Sequence, residues 1–405
     1  MHTQAQELDV NLQLRPRFEY RNGYKTLLPY GQEGTSQISQ RSRLNFDYKQ
    51  DQLEVKLTLQ NTRTWGDVVP TSNKDANGIA VFEAWAQYNF TDKWSARLGR
   101  QVLSFDNQRI LGEQDWAQQA QSHDAATVSF HADNQKLDFG GAYNSNAENV
   151  LQTPYTVDTY KNMQFAWYHR KFEALETSFL LLNAGYEYAN TDKKLLVDYK
   201  QTFGTYLTYK PGKFDSNLWI YGQTGKSMDH QVSAWNAALN LNYAVTDAFK
   251  TGAGFEFLSG KDTNDQSPVI KSFNPIFGTN HGFNGFMDYF YVGVGNHLNS
   301  IGLEDAFIKL NYTVKKWQFA LSPHVFLSPN KVVTPLNEKL DSYLGTEVDF
   351  STAFNFKKDI TLTGGYSQMF GSKTLEFIKN GDAGHTNNWA WLMISVNPRI
   401  FSFKK

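Results

Sequence analysis

Charged side chains recur at every second residue in the first two polar–apolar stretches of the sequence. Arg15, Arg17 and Glu19 follow this spacing in the first stretch, and Arg41 and Arg43 follow it in the second. Successive side chains of a β-strand point to opposite faces, so each group shares one surface. Where strands enclose a narrow tube, charged side chains that line it determine which ions enter. The chemistry that this spacing favours is attraction of anions.

The same face continues along the chain with charges of both signs. Its later members, with Arg109 added as a candidate for the narrowest ring, are Asp47, Glu54, Lys56, Glu83, Arg97, Arg109, Glu256, Lys309, Glu347 and Asp349. Two interpretations stand. A basic wall on the first two strands attracts anions, or a salt-bridged wall stabilises the fold without selecting solutes.

Catalytic and metal-binding patterns are missing from the sequence. The histidines are scattered, and HExxH, GxSxG and GxxxxGK[ST] do not occur. Glu347 and Asp349 share a face, which we interpret as a solvated wall rather than an acid–base pair. With no cysteine, thiolate metal sites are excluded. We predict no enzyme, catalytic residue or cofactor; a Ca²⁺ site at Asp262, Asp265 and Asp288 is the alternative.

The elements that position these residues are long strands. Residues 8–21 alternate strictly between apolar and polar side chains over fourteen positions, and a helical i, i+3, i+4 repeat does not fit. Eighteen such stretches begin near residues 8, 38, 53, 80, 94, 123, 136, 162, 173, 201, 214, 232, 249, 301, 317, 342, 360 and 388. The sixth is weak, and residues 180–182 make the register of the ninth ambiguous.

Long and tight connections alternate between these stretches. The long ones are residues 22–37, 65–79, 104–122, 145–161, 184–200, 259–300, 329–341 and 371–387, and the tight ones include 50–52, 91–93 and 356–359. Aromatic residues gather beside the tight turns: Tyr48, Phe90, Trp94, Phe130, Trp167, Tyr209, Phe214, Tyr243, Phe249, Tyr312, Trp317, Phe354, Phe401 and Phe403. An even strand count, long loops at one end and an aromatic girdle are typical of a transmembrane β-barrel.

Composition agrees with this interpretation. The 405 residues carry 39 Lys and Arg against 40 Asp and Glu, and the mean hydropathy is −0.52. Apolar runs are far shorter than the roughly 18 residues that a membrane helix needs. A near-neutral charge argues against a nucleic-acid partner. Residues 1–7 are polar and look like a mature N-terminus from which a signal peptide has been removed.

Several strings resemble the alginate export family of outer-membrane barrels. They are GRQVLSFDNQRILGEQDWAQQAQSHDA at residues 99–125, LQNTRTWGD at 59–67, FEFLSGKD at 255–262 and SFNPIFGTNHGFNGFMD at 272–288. The family-like positions are Arg100, Arg109, Trp116, Asp124, Ser259, Gly260, Asp262, Phe273, Asn274, Pro275, His281, Gly285 and Asp288. The resemblance implies a pore lined by arginines and carboxylates; the family's namesake exports an anionic polysaccharide.

One feature departs from the namesake, whose eighth periplasmic turn is long and plugs the pore. The corresponding residues 356–359 are too few to plug anything. Residues 259–300 could replace that plug by folding inward, or could form an outward cap. Residues 104–122 are a second candidate for an inward loop.

These observations predict one all-β domain over residues 1–405, with an 18-stranded antiparallel barrel at residues 8–403, in the bacterial outer membrane. The predicted function is a porin for passive diffusion of small solutes, including anionic ones. The alternatives are an exporter of an acidic polysaccharide such as alginate and a barrel subunit of a surface complex. The expected partners are outer-membrane lipid and lipopolysaccharide, small hydrophilic or anionic solutes, and other outer-membrane or periplasmic proteins.

Overall fold

The computed structural model describes residues 6–72, 74–157, 160–275, 277–290 and 301–405. Within these ranges the chain forms nineteen β-strands and one α-helix. The strands are β1 Gln6–Asn22, β2 Thr35–Gln50, β3 Leu53–Thr64, β4 Ala80–Asn89, β5 Trp94–Gln101, β6 His123–Ala132, β7 Gln135–Tyr143, β8 Asn162–Phe172, β9 Leu175–Ala189, β10 Leu195–Tyr209, β11 Phe214–Ser227, β12 His230–Ala244, β13 Phe249–Leu258, β14 Leu303–Val314, β15 Trp317–Leu327, β16 Tyr343–Lys357, β17 Ile360–Gly371, β18 Asn387–Val396 and β19 Arg399–Lys404.

The described strands close into a single antiparallel barrel. Each of β1 to β18 pairs with its neighbour in the sequence, and β18 also pairs with β1. β19 continues the line of β18 along β1, after an interruption at Pro398. Proline has no backbone N–H and cannot complete the ladder, although its carbonyl still accepts a hydrogen bond from Leu12 N at 3.0 Å. β18 and β19 therefore act as one strand, and the predicted 18-stranded fold is confirmed.

Side chains alternate between lipid and lumen along each strand. On β9 the buried Leu180 and Leu182 alternate with Phe179 and Leu181, whose exposed fractions are 57% and 53%. Because no water reaches the hydrocarbon core, every backbone group there must be paired, and barrel closure achieves this. Aromatic residues near the short turns, such as Trp94 and Tyr209, lie on the exposed face, as the girdle prediction requires.

The connections differ in one respect from the prediction. The predicted long connection at residues 184–200 is wrong, because β9 continues to Ala189, β10 begins at Leu195, and only residues 190–194 join them. The connection after β17 carries the short helix α1, Lys373–Lys379. Among the described residues, no helix is long and apolar enough to cross a bilayer.

Two aromatic residues, Phe82 on β4 and Trp167 of the predicted girdle, lie inside the barrel. Phe82 is buried because the pairing of β3 with β4 shifts at a β-bulge, and its ring lies 3.8 Å from the guanidinium carbon of Arg43. Trp167 is buried and donates a hydrogen bond to Asp106 at 3.0 Å. The assumption that every apolar residue of a strand faces lipid therefore fails where a bulge or an inward loop changes the environment of the strand.

The inner wall of β8 to β12 is partly apolar, and the main hydrophobic core lies against it. Phe165, Leu182 and Trp219 on this wall are buried in one cluster with Leu111 and Phe277, which belong to the loops. The inner wall is therefore apolar on this side. The physical reason is that loop side chains, rather than water, cover these strands.

Candidate functional site: the lumen and its two inward loops

Two long connections enter the barrel. We call residues 102–122, between β5 and β6, the first inward loop, and residues 259–275 and 277–290, after β13, the second inward loop. Residue 276 and residues 291–300 of the predicted connection lie outside the described part. The loops contact each other through Gly112 N, which donates to Phe277 O at 2.9 Å, and Thr279 N, which donates to Gln108 O at 2.8 Å. The tip of the second inward loop contacts Glu347 and Asp349 of β16, and the inward alternative for the whole connection of residues 259–300 stays a prediction.

The arginines of β1 and β2 hold the first inward loop. Arg15 and Arg41 approach opposite oxygens of the Asp115 carboxylate at 3.0 and 2.7 Å, and Arg43 lies at 3.6 Å. Arg15 also donates to Asp115 O at 2.7 Å. Arg15 and Arg41 are directly paired across the two strands, which aims both guanidinium groups at the same point. Three cations thus share one carboxylate.

The carboxylates of the opposite wall hold the tip of the second inward loop. Glu347 accepts the backbone N–H of Met287 at 2.7 Å, and Asp349 accepts that of Phe286 at 3.1 Å. The exposed fractions of Glu347 and Asp349 are 0% and 1%. The interpretation of this pair as a solvated wall is therefore wrong, because the loop covers both groups and uses them as hydrogen-bond acceptors.

Arg109 joins both loops to the barrel. Its guanidinium donates to Glu256 Oε1 at 2.9 Å, to Asn280 Oδ1 at 3.2 Å and to Asn284 Oδ1 at 2.8 Å. The same group lies 4.4 Å from the centre of the Phe283 ring. Arginine offers five N–H donors in a planar fork, which suits this convergence of acceptors. Arg109 is almost completely buried, so it anchors the loops from within.

The other predicted pore-lining residues form local pairs on the inner wall. Their contacts are Arg17 and Arg21 with Glu19, Lys56 with Glu83 and Asp47, Lys49 with Glu54, Arg97 with Gln87, and Lys309 with the ring of Phe307. Arg100 and Asp124 pair at 2.9 Å on the outward parity of β5 and β6, away from the lumen. The role of each in the pore stays a prediction.

Sequence reasoning missed the function of Asp115. It stood in a family-like string beside Trp116, but nothing local indicated that it faces the arginines about one hundred residues earlier. Trp116 O accepts a hydrogen bond from Arg17 at 2.8 Å, and its ring stacks on His281 with centroids 4.4 Å apart.

The three carboxylates of the alternative Ca²⁺ site each contact a different partner. His281 Nδ1 lies 2.8 Å from Asp288, whereas Asp265 pairs with Lys271 and Asp262 accepts the backbone N–H of Lys331. Within the described ranges, no group of three or more His, Asp or Glu side chains could hold a metal ion.

Burial changes the acidity of two groups on the first inward loop. Burial raises the pKa of Asp106, although hydrogen bonds from Ser178 and Trp167 oppose the rise. Burial also raises the pKa of Glu113, and the neighbouring Asp115 adds to that effect. Arg43 and Arg41 oppose the rise in the pKa of Glu113.

Water-accessible cavities flank the loops. The cavity toward the long-loop end measures about 440 Å³, and Arg17, Arg21, Arg63 and Trp116 are among its lining residues. The cavity toward the short-turn end measures about 880 Å³, and Arg97 is among its lining residues. Residues 116–119 border the first cavity and residues 102–105 border the second. The first inward loop therefore separates two polar compartments of one lumen.

The sequence profile described as alginate export matches residues 6–303. The chain belongs to the alginate export family. No protein of curated function matches the sequence significantly. The fold resembles that of OccAB4 from Acinetobacter baumannii, at a TM-score of 0.66 and 11% identity over 98% of both chains. It also resembles OpdL from Pseudomonas aeruginosa, at 0.65 and 11% over 97% of this chain and 99% of that one.

A third similar structure is the outer membrane protein opdK from Pseudomonas aeruginosa, at a TM-score of 0.61 and 10% identity over 98% of this chain and 99% of that one. At such identities the likeness concerns the fold. The closed 18-stranded barrel and the family assignment together place this alginate export family member in the bacterial outer membrane.

Proposed function

We propose that this protein is a channel through which small hydrophilic solutes diffuse passively, with anions preferred. The observation that carries the proposal is the sharing of the Asp115 carboxylate among Arg15, Arg41 and Arg43. Three positive charges face one negative charge, and the Asp115 side chain is 42% exposed. An excess of fixed positive charge in a narrow, low-dielectric passage raises the local concentration of anions.

The cavity on the long-loop side supports the same proposal. Arg17 and Arg21 line it beside Glu19, whereas the cavity on the short-turn side is lined by charges of both signs, including Arg97 and Asp138. Carboxylates are present too, but Glu256 and Glu347 are covered by loop contacts. Solute passage would need no covalent chemistry, and we propose none.

Ion selectivity tests the proposal directly. The purified protein is reconstituted in planar bilayers, and the reversal potential is measured in a KCl gradient for the wild type and for Arg15→Gln, Arg41→Gln and Arg43→Gln. Each substitution removes one positive charge while keeping a polar side chain. We expect an anion-preferring wild type and a stepwise shift toward cation preference. A cation-preferring wild type, or variants with an unchanged reversal potential, would contradict the proposed preference.

Family membership favours a second candidate, export of an acidic polysaccharide. A polymer chain would pass the same basic wall, but the two inward loops occupy the middle of the lumen and would have to move aside. The tight turn between β16 and β17 leaves no segment there to act as a plug. The extent to which added oligosaccharides block the ionic current distinguishes the two candidates. Acidic oligosaccharides that block more strongly than neutral ones of equal length would support export, and equal weak block by both would favour the small-solute channel.

A further inference from the structure

The tip of the second inward loop, residues 284–290, covers three titratable side chains on two neighbouring strands. We call these side chains the latch cluster, and define it as His324 on β15 with Glu347 and Asp349 on β16. Their exposed fractions are 6%, 0% and 1%. His324 is directly paired with Glu347 across the two strands. The latch cluster therefore lies between the barrel wall and the tip.

The latch cluster holds the tip through backbone hydrogen bonds. Glu347 accepts the N–H of Met287 at 2.7 Å, and Asp349 accepts that of Phe286 at 3.1 Å. Gly285 lies so close to Glu347 that a Cβ on this glycine would be 2.7 Å from atoms of the carboxyl group. The docked tip thus uses both carboxyl groups as acceptors and keeps water away from them.

The latch cluster has too few protons unless it holds one beyond a neutral imidazole. His324 Nδ1 lies 2.9 Å from Asp305 Oδ1, and His324 Nε2 lies 3.8 Å from Asp349 Oδ2. A neutral imidazole carries one N–H group, so without a further proton one ring nitrogen directs its lone pair at a carboxylate. A proton between His324 and Asp349 removes this repulsion, whichever of the two groups carries it.

Glu347 points to the same conclusion. Its Oε2 atom is buried and has no hydrogen-bond partner among the residues that the structure describes. An unpartnered buried oxygen costs less in a neutral carboxylic acid than in a carboxylate. Glu347 and Asp349 share one face of β16, and two carboxyl groups in one buried site do not both ionise readily.

The surrounding charges do not supply the missing compensation. Charged or titratable groups face the latch cluster from every element packed around it: Glu256 on β13, Asp305 and Lys309 on β14, Arg109 in the first inward loop, and His281, Asp288 and Tyr289 in the second. Arg109 pairs with Glu256 at 2.9 Å, and His281 lies 2.8 Å from Asp288. Carboxyl groups outnumber the arginine and lysine in this region, so the remaining balance must come from protons.

We propose that a proton held by the latch cluster keeps the tip docked, and that loss of this proton as the pH rises releases the tip from β16. Deprotonation leaves uncompensated negative charge under the tip. Water can solvate that charge only after the hydrogen bonds to the N–H groups of Phe286 and Met287 have opened. The docked tip is therefore favoured at low pH and lost at high pH. This inference concerns the loop and is independent of which solutes pass.

Hydrogen exchange of the tip over a pH series tests the proposal on the folded protein in detergent micelles. Protection is expressed relative to the intrinsic exchange rate at each pH, which removes the ordinary pH dependence of exchange. Loss of one proton on opening lowers protection by up to about tenfold per pH unit. We expect protection of residues 284–290 to fall by about tenfold or more between about pH 6 and about pH 9, while protection of β17 stays constant.

Two substitutions remove the titration and keep the acceptors. Glu347→Gln combined with Asp349→Asn retains a carbonyl oxygen for each backbone N–H, so protection of the tip should change by less than about twofold over the same range. Asp359→Asn, in the short turn that follows β16, is the matched control and should behave like the wild type. If the double variant does not fold, Asp349→Asn alone should show a reduced pH dependence.

Two results would overturn the proposal. One is a wild type whose tip is equally protected at both ends of the pH range. The other is a folded Glu347→Gln/Asp349→Asn or Asp349→Asn variant that loses protection with pH as steeply as the wild type. A wild type that conducts no ions would refute the proposed channel, whereas hydrogen exchange would still decide whether the latch cluster controls the tip.

Discussion

The replacement of Arg109 by methionine should release the two inward loops. Methionine has similar length but no N–H groups, so the hydrogen bonds to Glu256, Asn280 and Asn284 disappear together. Breaking a buried ion pair by removal of one partner costs about 3–5 kcal/mol, because the remaining charge stays buried. The side chains of Arg109 and Glu256 are both nearly inaccessible to water, so solvent screening does not weaken their interaction.

That free energy shifts the equilibrium between docked and undocked loops by about two to three and a half orders of magnitude. The barrel itself should remain closed, because its strand ladder does not involve Arg109. We therefore expect Arg109→Met to fold, to show a larger single-channel conductance than the wild type, and to fluctuate more while open. Planar-bilayer recording measures both quantities, and heat-modifiable migration on a gel checks folding.

A second substitution distinguishes loss of the anchor from a general loss of packing. Glu256→Gln added to Arg109→Met removes the unpaired buried charge, and should return conductance and noise part of the way to the wild-type values. If Arg109→Met folds normally and its conductance and noise match those of the wild type, the inference that Arg109 holds the loops inside the lumen is wrong.

The remaining predictions concern the same loops. Burial raises the pKa of Asp106, so its contribution to loop docking is full below the ordinary Asp range and is lost as the pH rises through the raised pKa. Asp106→Asn keeps an acceptor for Trp167 but cannot ionise. In this variant the hydrogen-exchange rate of the loop should depend less on pH than in the wild type. Gly285→Ala should loosen the second loop by more than about 1 kcal/mol, because φ is +83° and a Cβ would lie 2.7 Å from Glu347 atoms; Gly282→Ala, with nothing within 4 Å, is the control.

Outcomes opposite to these two predictions are equally measurable. A wild type whose loop protection does not change between about pH 4 and pH 7 would show that Asp106 does not control docking in this range. Equal hydrogen-exchange rates in the Gly285→Ala and Gly282→Ala variants would show that the tip of the second loop is not held tightly against β16.

The barrel could be predicted from the sequence because its rule is local. Strict two-residue alternation such as that of residues 8–21 reports a membrane on one side of the strand, and it recurs often enough to count the strands. The errors in the fold have local causes that alternation cannot express. Phe82 faces inward because of a β-bulge. β9 ends at residue 189 and β10 begins at residue 195, so both strands take up part of the long connection predicted at residues 184–200.

The site was less predictable because its contacts are distant in the sequence. Arg15 and Arg41 were recognised as inward-facing, but their partner Asp115 comes from a loop that no periodicity describes. Glu347 and Asp349 were placed on the correct face and given the wrong environment, because burial by the tip of the second loop depends on how a long connection folds. The charges meant to meet water therefore also serve as anchors.

The passage of solutes into proteoliposomes tests the central claim most directly. Swelling rates would be measured for a size series of neutral sugars and for their acidic counterparts of matching size. The proposed channel predicts swelling with monosaccharides, faster entry of the acidic member of each pair, and a steep decline with chain length imposed by the inward loops. No swelling with any solute in correctly folded barrels, or equal rates for monosaccharides and long oligosaccharides, would contradict it.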